Sequence, residues 1–116
     1  MVVLVTISAE GRLRDIFDFY RDRAGRNTAA KIVTKIREHA NALGAMPFMA
    51  PVEQSLNGEQ TEFRSLVVAK RYKIVYHVAK DVETVYIVDI WDCRQSPESL
   101  KERVFGMFKN LTTGKE

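Results

Sequence analysis

Hydrophobic positions in the first 44 residues follow a strand pattern and then a helical pattern. Val2 to Ile7 is almost continuously apolar and β-branched, which predicts a buried strand. Two amphipathic helices are predicted next, because apolar residues recur at intervals of three and four. The two apolar stripes are Leu13, Ile16, Phe17 and Tyr20, and then Ala29, Ile32, Val33, Ile36, Ala40 and Leu43.

Polar residues and glycines mark the predicted ends of these helices. Ser8 is predicted to cap the first helix, because its hydroxyl can accept a hydrogen bond from an unpaired backbone N–H, and Gly25 is predicted to end it. Asn27 or Thr28 is predicted to begin the second helix and Gly44 to end it. So short a link predicts an antiparallel hairpin whose apolar stripes need a sheet to pack on.

Residues 45–61 follow no periodic pattern. Pro47 and Pro51 disfavour regular structure, and Asn57-Gly58 is typical of a turn. The segment is nevertheless too apolar for free coil. We therefore expect it to lie against the core, with one short helical turn.

Alternating residues in the second half of the chain predict three consecutive strands. Phe63 to Val68 is the first, and Arg71 to Arg94 contains two longer ones joined by a charged turn. The last of them, Glu83 to Trp91, is apolar at nearly every position, as in a strand covered on both faces at the middle of a sheet. In the strand before it, alternation separates Tyr72, Ile74, Tyr76 and Val78 from Lys73, Val75 and His77.

The links around these strands carry two further signals. The tight link at Ala69-Lys70 has neither glycine nor asparagine, so this turn is either strained or longer than two residues. After Ser96-Pro97 a last amphipathic helix is predicted. Its apolar side consists of Leu100, Val104, Met107, Phe108 and Leu111.

Together these elements predict one α+β domain over residues 1–116, in the order β-α-α-β-β-β-α. The helical hairpin is expected to pack on one face of a mainly antiparallel four-stranded sheet. The other face is expected to be open, or covered only by the last helix, and to present lysine and arginine side chains to a partner.

Composition narrows the function classes only a little. A chain of 116 residues with 46% hydrophobic residues can build a core without disulfides or metal, and the net charge of +3 is compatible with an anionic partner. The single cysteine, Cys93, and the two histidines lack zinc-site spacing, so no metal or cofactor is predicted. No stretch suits a membrane span, the opening residues read as a strand and not as a signal peptide, and a cytoplasmic location is expected.

Two runs in the second half of the chain resemble a known family. They are FRSLVVAKRYKIVYHV and ETVYIVDIWDCRQSPESL, which contain the strand Tyr72 to Tyr76 and an Asp-x-Arg-Gln-x-Pro exit from Asp92 to Pro97. In order and spacing they resemble the RelE/ParE superfamily, the toxins of type II toxin–antitoxin systems, over nearly the whole chain. The resemblance implies a small toxin of the plasmid-stabilisation type, held inactive in a hetero-oligomer by a cognate antitoxin that wraps the sheet.

The resemblance implies one of two activities. RelE-like members are ribosome-dependent mRNA endonucleases that use arginine and lysine to stabilise phosphate charge, whereas ParE-like members generally lack that set and inhibit DNA gyrase. By position, Lys73 corresponds to an arginine of the RelE-like strand, Arg94 to the arginine that leaves the last strand, and Arg64 comes from the neighbouring strand. No tyrosine or histidine follows Tyr86, which favours the gyrase-binding activity.

The residues themselves offer one candidate base. Cleaving RNA through the 2′-hydroxyl requires a base, an acid and cations that stabilise the phosphorane, and arginine cannot serve as the base. His77 is the only group on the Lys73 face that titrates near neutrality. The candidate catalytic residues are therefore Arg64, Lys73, His77 and Arg94, although each also fits a purely structural role in a half-exposed sheet.

A second set of residues is expected to bind protein partners. Trp91, Arg94, Phe105 and Phe108 are the candidates, because large aromatic side chains beside an open face anchor partners. Three functions stay open: a gyrase inhibitor, a ribosome-dependent mRNA endonuclease without a metal, and an inactive toxin homologue that acts as an antitoxin-binding module.

Overall fold

The computed structural model describes residues 1–56, 61–94 and 103–104. Its helices and strands follow the predicted order. They are β1 (Val2–Val5), α1 (Ile7–Ala24), α2 (Arg26–Ala42), β2 (Arg64–Val68), β3 (Tyr72–Ala79) and β4 (Thr84–Asp92). The predicted last helix lies outside the described residues except for Arg103 and Val104, which are helical.

The four strands form one mixed sheet in the order β1-β4-β3-β2, so β4 is central, as predicted. Strands β2, β3 and β4 form an antiparallel meander, and β1 joins β4 in parallel. Pairing between β1 and β4 ends at Val5 opposite Ile87. From Val88 onwards, therefore, β4 has no neighbouring strand on that side within the described part of the chain.

The first helix begins one residue before the predicted cap. Thr6, not Ser8, is the N-cap, and its Oγ1 accepts a hydrogen bond from the backbone N–H of Ala9 at 3.2 Å. The same hydroxyl donates to the carbonyl of Ile87 at 2.9 Å. Thr6 is favoured because one side chain satisfies both the helix terminus and the neighbouring strand, and β1 accordingly ends at Val5.

Gly25 separates the two helices and replaces the predicted caps of the second. It has φ +90° and its N–H donates to the carbonyl of Arg21, which ends α1 as predicted. Helix α2 begins at Arg26 with no side-chain cap, so the prediction of Asn27 or Thr28 is wrong. The last residue of α2 is Ala42, two residues before the predicted Gly44.

Gly44 has a different role, which is to allow the backbone of Met1 to come close to it. The N-terminal ammonium of Met1 donates to the carbonyl of Gly44 at 2.8 Å. A Cβ at position 44 would lie 2.6 Å from the carbonyl oxygen of Met1. Only glycine permits this contact, which ties the end of the hairpin to β1.

The main core lies between the helical hairpin and one face of the sheet, as the alternation in β3 predicts. The buried residues of this core are Ala9, Leu13, Ile36, Ala40, Leu43, Ala50, Val68, Tyr72, Ile74, Tyr76, Val85, Ile87 and Ile90. Tyr76 also donates its hydroxyl hydrogen to the carbonyl of Pro47 at 2.8 Å, which fastens the irregular segment after α2 to this core.

The second face of the sheet is neither open nor covered by the last helix alone, so both predicted alternatives are wrong. A smaller core covers it, in which Leu56, Phe63 and Val104 pack on Val75, Val88 and Trp91. Leu56 belongs to the single helical turn Gln54–Leu56, which confirms the predicted turn in the irregular segment. The prediction failed because the position of that segment depends on tertiary packing and leaves no periodic signal.

A bulge in β4 adds a charge to this second face. Val75 pairs with Asp89 and Tyr76 with Ile87, so Val88 has no partner in β3. Two consecutive residues of β4 therefore oppose one residue of β3, which is the definition of a bulge. The shift puts the carboxylate of Asp89 beside Val75, on the same side as Trp91.

The β2–β3 link, residues 69–71, is longer than two residues and is also strained, so both predicted alternatives apply. Ala69 and Lys70 have φ of 55° and 58°, and the N–H of Arg71 donates to the carbonyl of Val68 at 3.2 Å. Positive φ at both central residues is usual for tight hairpins, but it normally calls for asparagine or glycine.

Candidate functional site

A groove of about 340 Å³ lies between α1 and the carboxyl end of β4. We call it the arginine groove. Its charged lining consists of Arg12, Asp15, Arg71, Asp92, Arg94 and Arg103, and its apolar lining consists of Ile16, Phe19, Tyr72 and Ile90. Four guanidinium groups and two carboxylates give this lining a formal charge of +2.

Arg94 lies at the exposed rim of the groove and forms a fork with Asp92. Its Nη2 donates to Asp92 Oδ2 at 2.8 Å and its Nε donates to Oδ1 at 3.1 Å. This fork, with help from the charge of Arg71, lowers the pKa of Asp92. The Arg94 side chain is 66% exposed, so a partner can reach its charge.

Arg71 is held in the groove by aromatic rings and not by hydrogen bonds. Its guanidinium carbon lies 5.7 Å from the ring centre of Phe19, 5.4 Å from that of Tyr20 and 5.3 Å from that of Tyr72. The nearest carboxylate oxygen, on Asp92, is 3.7 Å away. Within the described residues, the Arg71 guanidinium therefore contacts three ring faces and donates no hydrogen bond, and its Nε is buried without a partner.

Arg103 closes one side of the groove through a buried ion pair. Its Nη2 and Nε donate to the two carboxylate oxygens of Asp89 at 2.6 and 2.9 Å. The guanidinium carbon also lies 4.6 Å from the ring centre of Trp91. Because Asp89 is only 1% exposed, this pair joins residues 103–104 to the bulge of β4.

Tyr72, the tyrosine that lines the groove, keeps its hydroxyl hydrogen near neutral pH because its pKa is raised. The hydroxyl of Tyr72 donates to that of Tyr20 at 3.3 Å. Burial, the bond to Tyr20 and the neighbouring tyrosine charge all raise the pKa of Tyr72 well above its ordinary 10. Tyr72 therefore supplies an apolar surface and a ring face for cations, but no general base.

Lys73, a predicted site residue, lies outside the arginine groove. Its Nζ is 2.8 Å from Oε1 of Glu53, a carboxylate that is only 5% exposed. Ser55 and Ser65 donate to the same carboxylate. Burial alone would raise the pKa of Glu53, but the bonds from Lys73, Ser55 and Ser65 outweigh it and lower the pKa to about 2.

Arg64 and His77, two further predicted residues, share a second groove of about 560 Å³. We call it the histidine groove; Phe48 and Lys80 also line it. Arg64 Nη1 donates to the carbonyl of Ala50 at 2.7 Å, and its guanidinium carbon lies 5.2 Å from the ring centre of Phe48. His77 Nδ1 lies 3.0 Å from the carbonyl oxygen of Glu62, which can only accept, so Nδ1 donates the hydrogen of this bond.

The structure thus separates the four candidate catalytic residues. Arg94 is in the arginine groove, Lys73 is bound to Glu53, and Arg64 and His77 are in the histidine groove. Among the candidate partner-binding residues, Trp91 is 3% exposed and belongs to the second core. Phe105 and Phe108 lie outside the described residues.

Three arginines of the arginine groove were missed by sequence reasoning. Arg71 stands in a turn, where alternation gives no direction, and Arg103 approaches β4 only in the folded chain. Arg12 did carry a usable signal, because it precedes Ile16 and Phe19 by about one and two helical turns and so shares their face.

Neither a metal site nor a membrane helix is evident in the described residues. Those residues contain no group of three or more histidine, cysteine, aspartate or glutamate side chains arranged to hold a metal ion. None of their helices is long and apolar enough to cross a bilayer.

Comparison with known proteins places these features in a family. The model of the ParE toxin of type II toxin–antitoxin systems (parDE) matches residues 3–97. A solved structure described as "Chromosomal ParDE TA system from P. aeruginosa" has a similar fold, with a TM-score of 0.67 and 20% sequence identity. The similarity covers 79% of this chain and 95% of that one. No curated protein matches the chain.

Proposed function

The chain belongs to the ParE toxin family of type II toxin–antitoxin systems, and on that premise we propose that it inhibits growth by binding DNA gyrase. A cognate antitoxin is its neutralising partner, as the family implies. The site of action is the cytoplasm, where gyrase and the chromosome are.

The separation of the candidate catalytic residues is the observation that carries this proposal. RNA cleavage requires a base, an acid and phosphate-binding cations around one phosphate. Arg94 has no histidine beside it in the groove, and its tyrosine neighbour has a raised pKa. Lys73 already neutralises a buried carboxylate. Among the described residues, the arginine groove therefore presents cations that suit binding, without the histidine that the candidate catalytic set requires.

Purified gyrase tests the proposal directly. Adding the protein to relaxed plasmid, gyrase and ATP is expected to prevent supercoiling, while mRNA on programmed ribosomes stays intact. Arg94→Ala is expected to weaken the inhibition about tenfold, because an exposed charge that binds a partner is lost. Arg26→Ala removes an exposed charge on the other side of the hairpin and serves as the matched control. Undiminished supercoiling at saturating protein would overturn the proposal.

A second candidate function, ribosome-dependent mRNA cleavage, is favoured by the histidine groove. His77 lines this groove with its Nδ1 bound to the carbonyl of Glu62, and Arg64 and Lys80 supply positive charge near the imidazole. His77→Gln separates the two functions. It should abolish transcript cleavage if the chain is a nuclease, and leave gyrase inhibition unchanged if our proposal is correct.

A third outcome is an inactive homologue. Neither gyrase inhibition nor transcript cleavage would then be seen, although the protein would still bind its antitoxin. Co-expression with the neighbouring short reading frame, followed by co-purification, detects that partner independently of any toxic activity.

A further inference from the structure

We propose that the arginine groove is a binding site for a single carboxylate, the side chain of an aspartate or glutamate within an apolar segment of a protein partner. The proposal rests on the proposed function in one respect, which is that the chain acts by binding another protein. It adds the chemistry by which one residue of that protein is recognised.

The donors for such an anion are already oriented. Arg71 keeps its guanidinium against Phe19, Tyr20 and Tyr72 and donates no hydrogen bond from it among the described residues. Its side chain is 28% exposed and lines the groove, whereas its Nε is buried. The two terminal nitrogens of a guanidinium fixed in this way can bind a carboxylate bidentately, with little side-chain entropy left to lose.

The surrounding charges extend the site beyond one arginine. Arg94 is reachable at the rim, where it shares Asp92 with Arg71. Arg12, on the α1 side, is 3.3 Å from a single oxygen of the exposed Asp15. An incoming carboxylate between these groups would therefore meet three guanidinium groups whose own acid partners satisfy them only in part.

The lining favours a carboxylate over a nucleic acid. Asp15 and Asp92 stand among the arginines, and a backbone with a charge at every nucleotide would meet them as well as the cations. A lone carboxylate fits between them. Ile16, Phe19 and Ile90 offer apolar surface to the residues on either side of the acid, as in the core of a protein interface.

Side-chain NMR measures this binding at the arginines themselves. The full chain, labelled with ¹⁵N, is titrated with a pool of blocked pentapeptides that have glutamate at the centre and alanine, leucine, valine or tyrosine elsewhere. The Nε–Hε signals of Arg71 and Arg94 are expected to shift in a saturable way. The same pool with central glutamine should bind about tenfold more weakly, because the charge-assisted bonds are lost.

Matched variants test whether the peptides bind at the arginine groove, and the folding of each variant is checked separately. Arg71→Lys keeps the charge but not the fork and should weaken binding about fivefold to tenfold. Arg94→Gln, at an exposed position, should weaken it as well, and Arg26→Lys should not. Circular dichroism of each variant, before titration, shows that it is folded.

Three results would overturn the proposal: no saturable shift with the glutamate pool, equal binding of the glutamine pool, or shifts of the same signals by a decauridylate and not by the peptides. The last would assign the groove to nucleic acid. If gyrase is inhibited while the peptides fail to bind, only the carboxylate site is lost and the proposed function stands.

Discussion

Lys73 and Arg94 are both cationic, but their surroundings differ. The surroundings determine which of the two charges a partner can reach. Lys73 is bound to a buried carboxylate, whereas Arg94 is 66% exposed and pairs with Asp92 at the rim of a groove. A charge that already neutralises a buried partner cannot be withdrawn without leaving that partner unpaired. Lys73 is for this reason a stability residue, and Arg94 is a candidate for binding.

The contribution of Glu53 to the free energy of unfolding is expected to be lost in acid. Its pKa falls from an ordinary 4.5 to about 2 on folding. A carboxylate with a lowered pKa stabilises the fold fully above its unfolded pKa, and that contribution disappears as the pH falls towards the folded pKa. Between pH 5 and pH 2 the free energy of unfolding should therefore drop by up to about 3 kcal/mol through this group.

Urea unfolding of Glu53→Gln across that pH range measures the effect. The variant is expected to be less stable at pH 7 and to have a weaker pH dependence than the wild type. Glu38→Gln, an exposed substitution on α2, should change neither. Parallel pH profiles for the wild type and Glu53→Gln would contradict the assignment.

Breaking the ion pair of Asp89 is expected to lower the free energy of unfolding more than breaking a surface ion pair would. Asp89→Asn leaves the part-buried guanidinium of Arg103 without its counter-charge, and we expect a loss of about 2–3 kcal/mol. Asp22→Asn removes a partner of Arg21 whose side chain is 65% exposed, and should cost less than about 1 kcal/mol. Equal midpoints of chemical denaturation for these two variants would show that the Asp89–Arg103 pair contributes little.

At the scale of elements, local patterns predicted the strands and helices better than their ends. Alternation in β3 assigned Tyr72, Ile74 and Tyr76 to the helix-covered face because each strand residue reverses direction, whatever the tertiary structure. The start of α1 was missed because Thr6 is chosen by its bond to Ile87, which is 81 residues away in sequence. Long-range contacts of this kind leave no mark on the local sequence.

A glycine introduced into the β2–β3 turn is expected to stabilise the protein. Lys70 has φ of 58°, a region that is unfavourable for residues with a Cβ. Lys70→Gly is expected to raise the free energy of unfolding by about 0.5–1 kcal/mol, since relief of strain exceeds the added entropy of the unfolded chain.

Thermal unfolding followed by circular dichroism measures this gain. Ala30→Gly, at an exposed position within α2, is the control and should lose about 0.5–1 kcal/mol, because its φ is already favourable. A loss of stability in both variants would show that the turn is not strained.

At the scale of the whole molecule, the candidate cations occupy three places: the arginine groove, the histidine groove and, for Lys73, the bond to Glu53. The arginine groove lies at the carboxyl end of β4, where β1 no longer flanks the strand, and the histidine groove is lined by the far end of β3. Sequence reasoning found one residue of the first groove, Arg94, and two of the second. The sequence-based prediction assigned these residues to a single site, because it treated them as parts of one open face of the sheet.

The burial of Trp91 shows why that face was misjudged. Leu56 and Phe63 cover it from an irregular segment and a strand flank, and Val104 adds a contact from the far end of the chain. Leu56 comes from a segment with no periodic signature, whereas Val104 belongs to the apolar side predicted for the last helix. Once the face is closed, the exposed charge of Arg94 lies at the rim of the arginine groove beside apolar walls, and this is why binding is favoured over catalysis.

Plasmid topology in growing cells tests the central claim most directly. The chain is expressed without its antitoxin, and topoisomers are separated on chloroquine gels while transcript ends are mapped in the same culture. We expect relaxed plasmid to accumulate as growth stops, with transcripts intact and with Arg94→Ala restoring supercoiling. Arrested growth with normal supercoiling and transcripts cut at the ribosome would contradict the account.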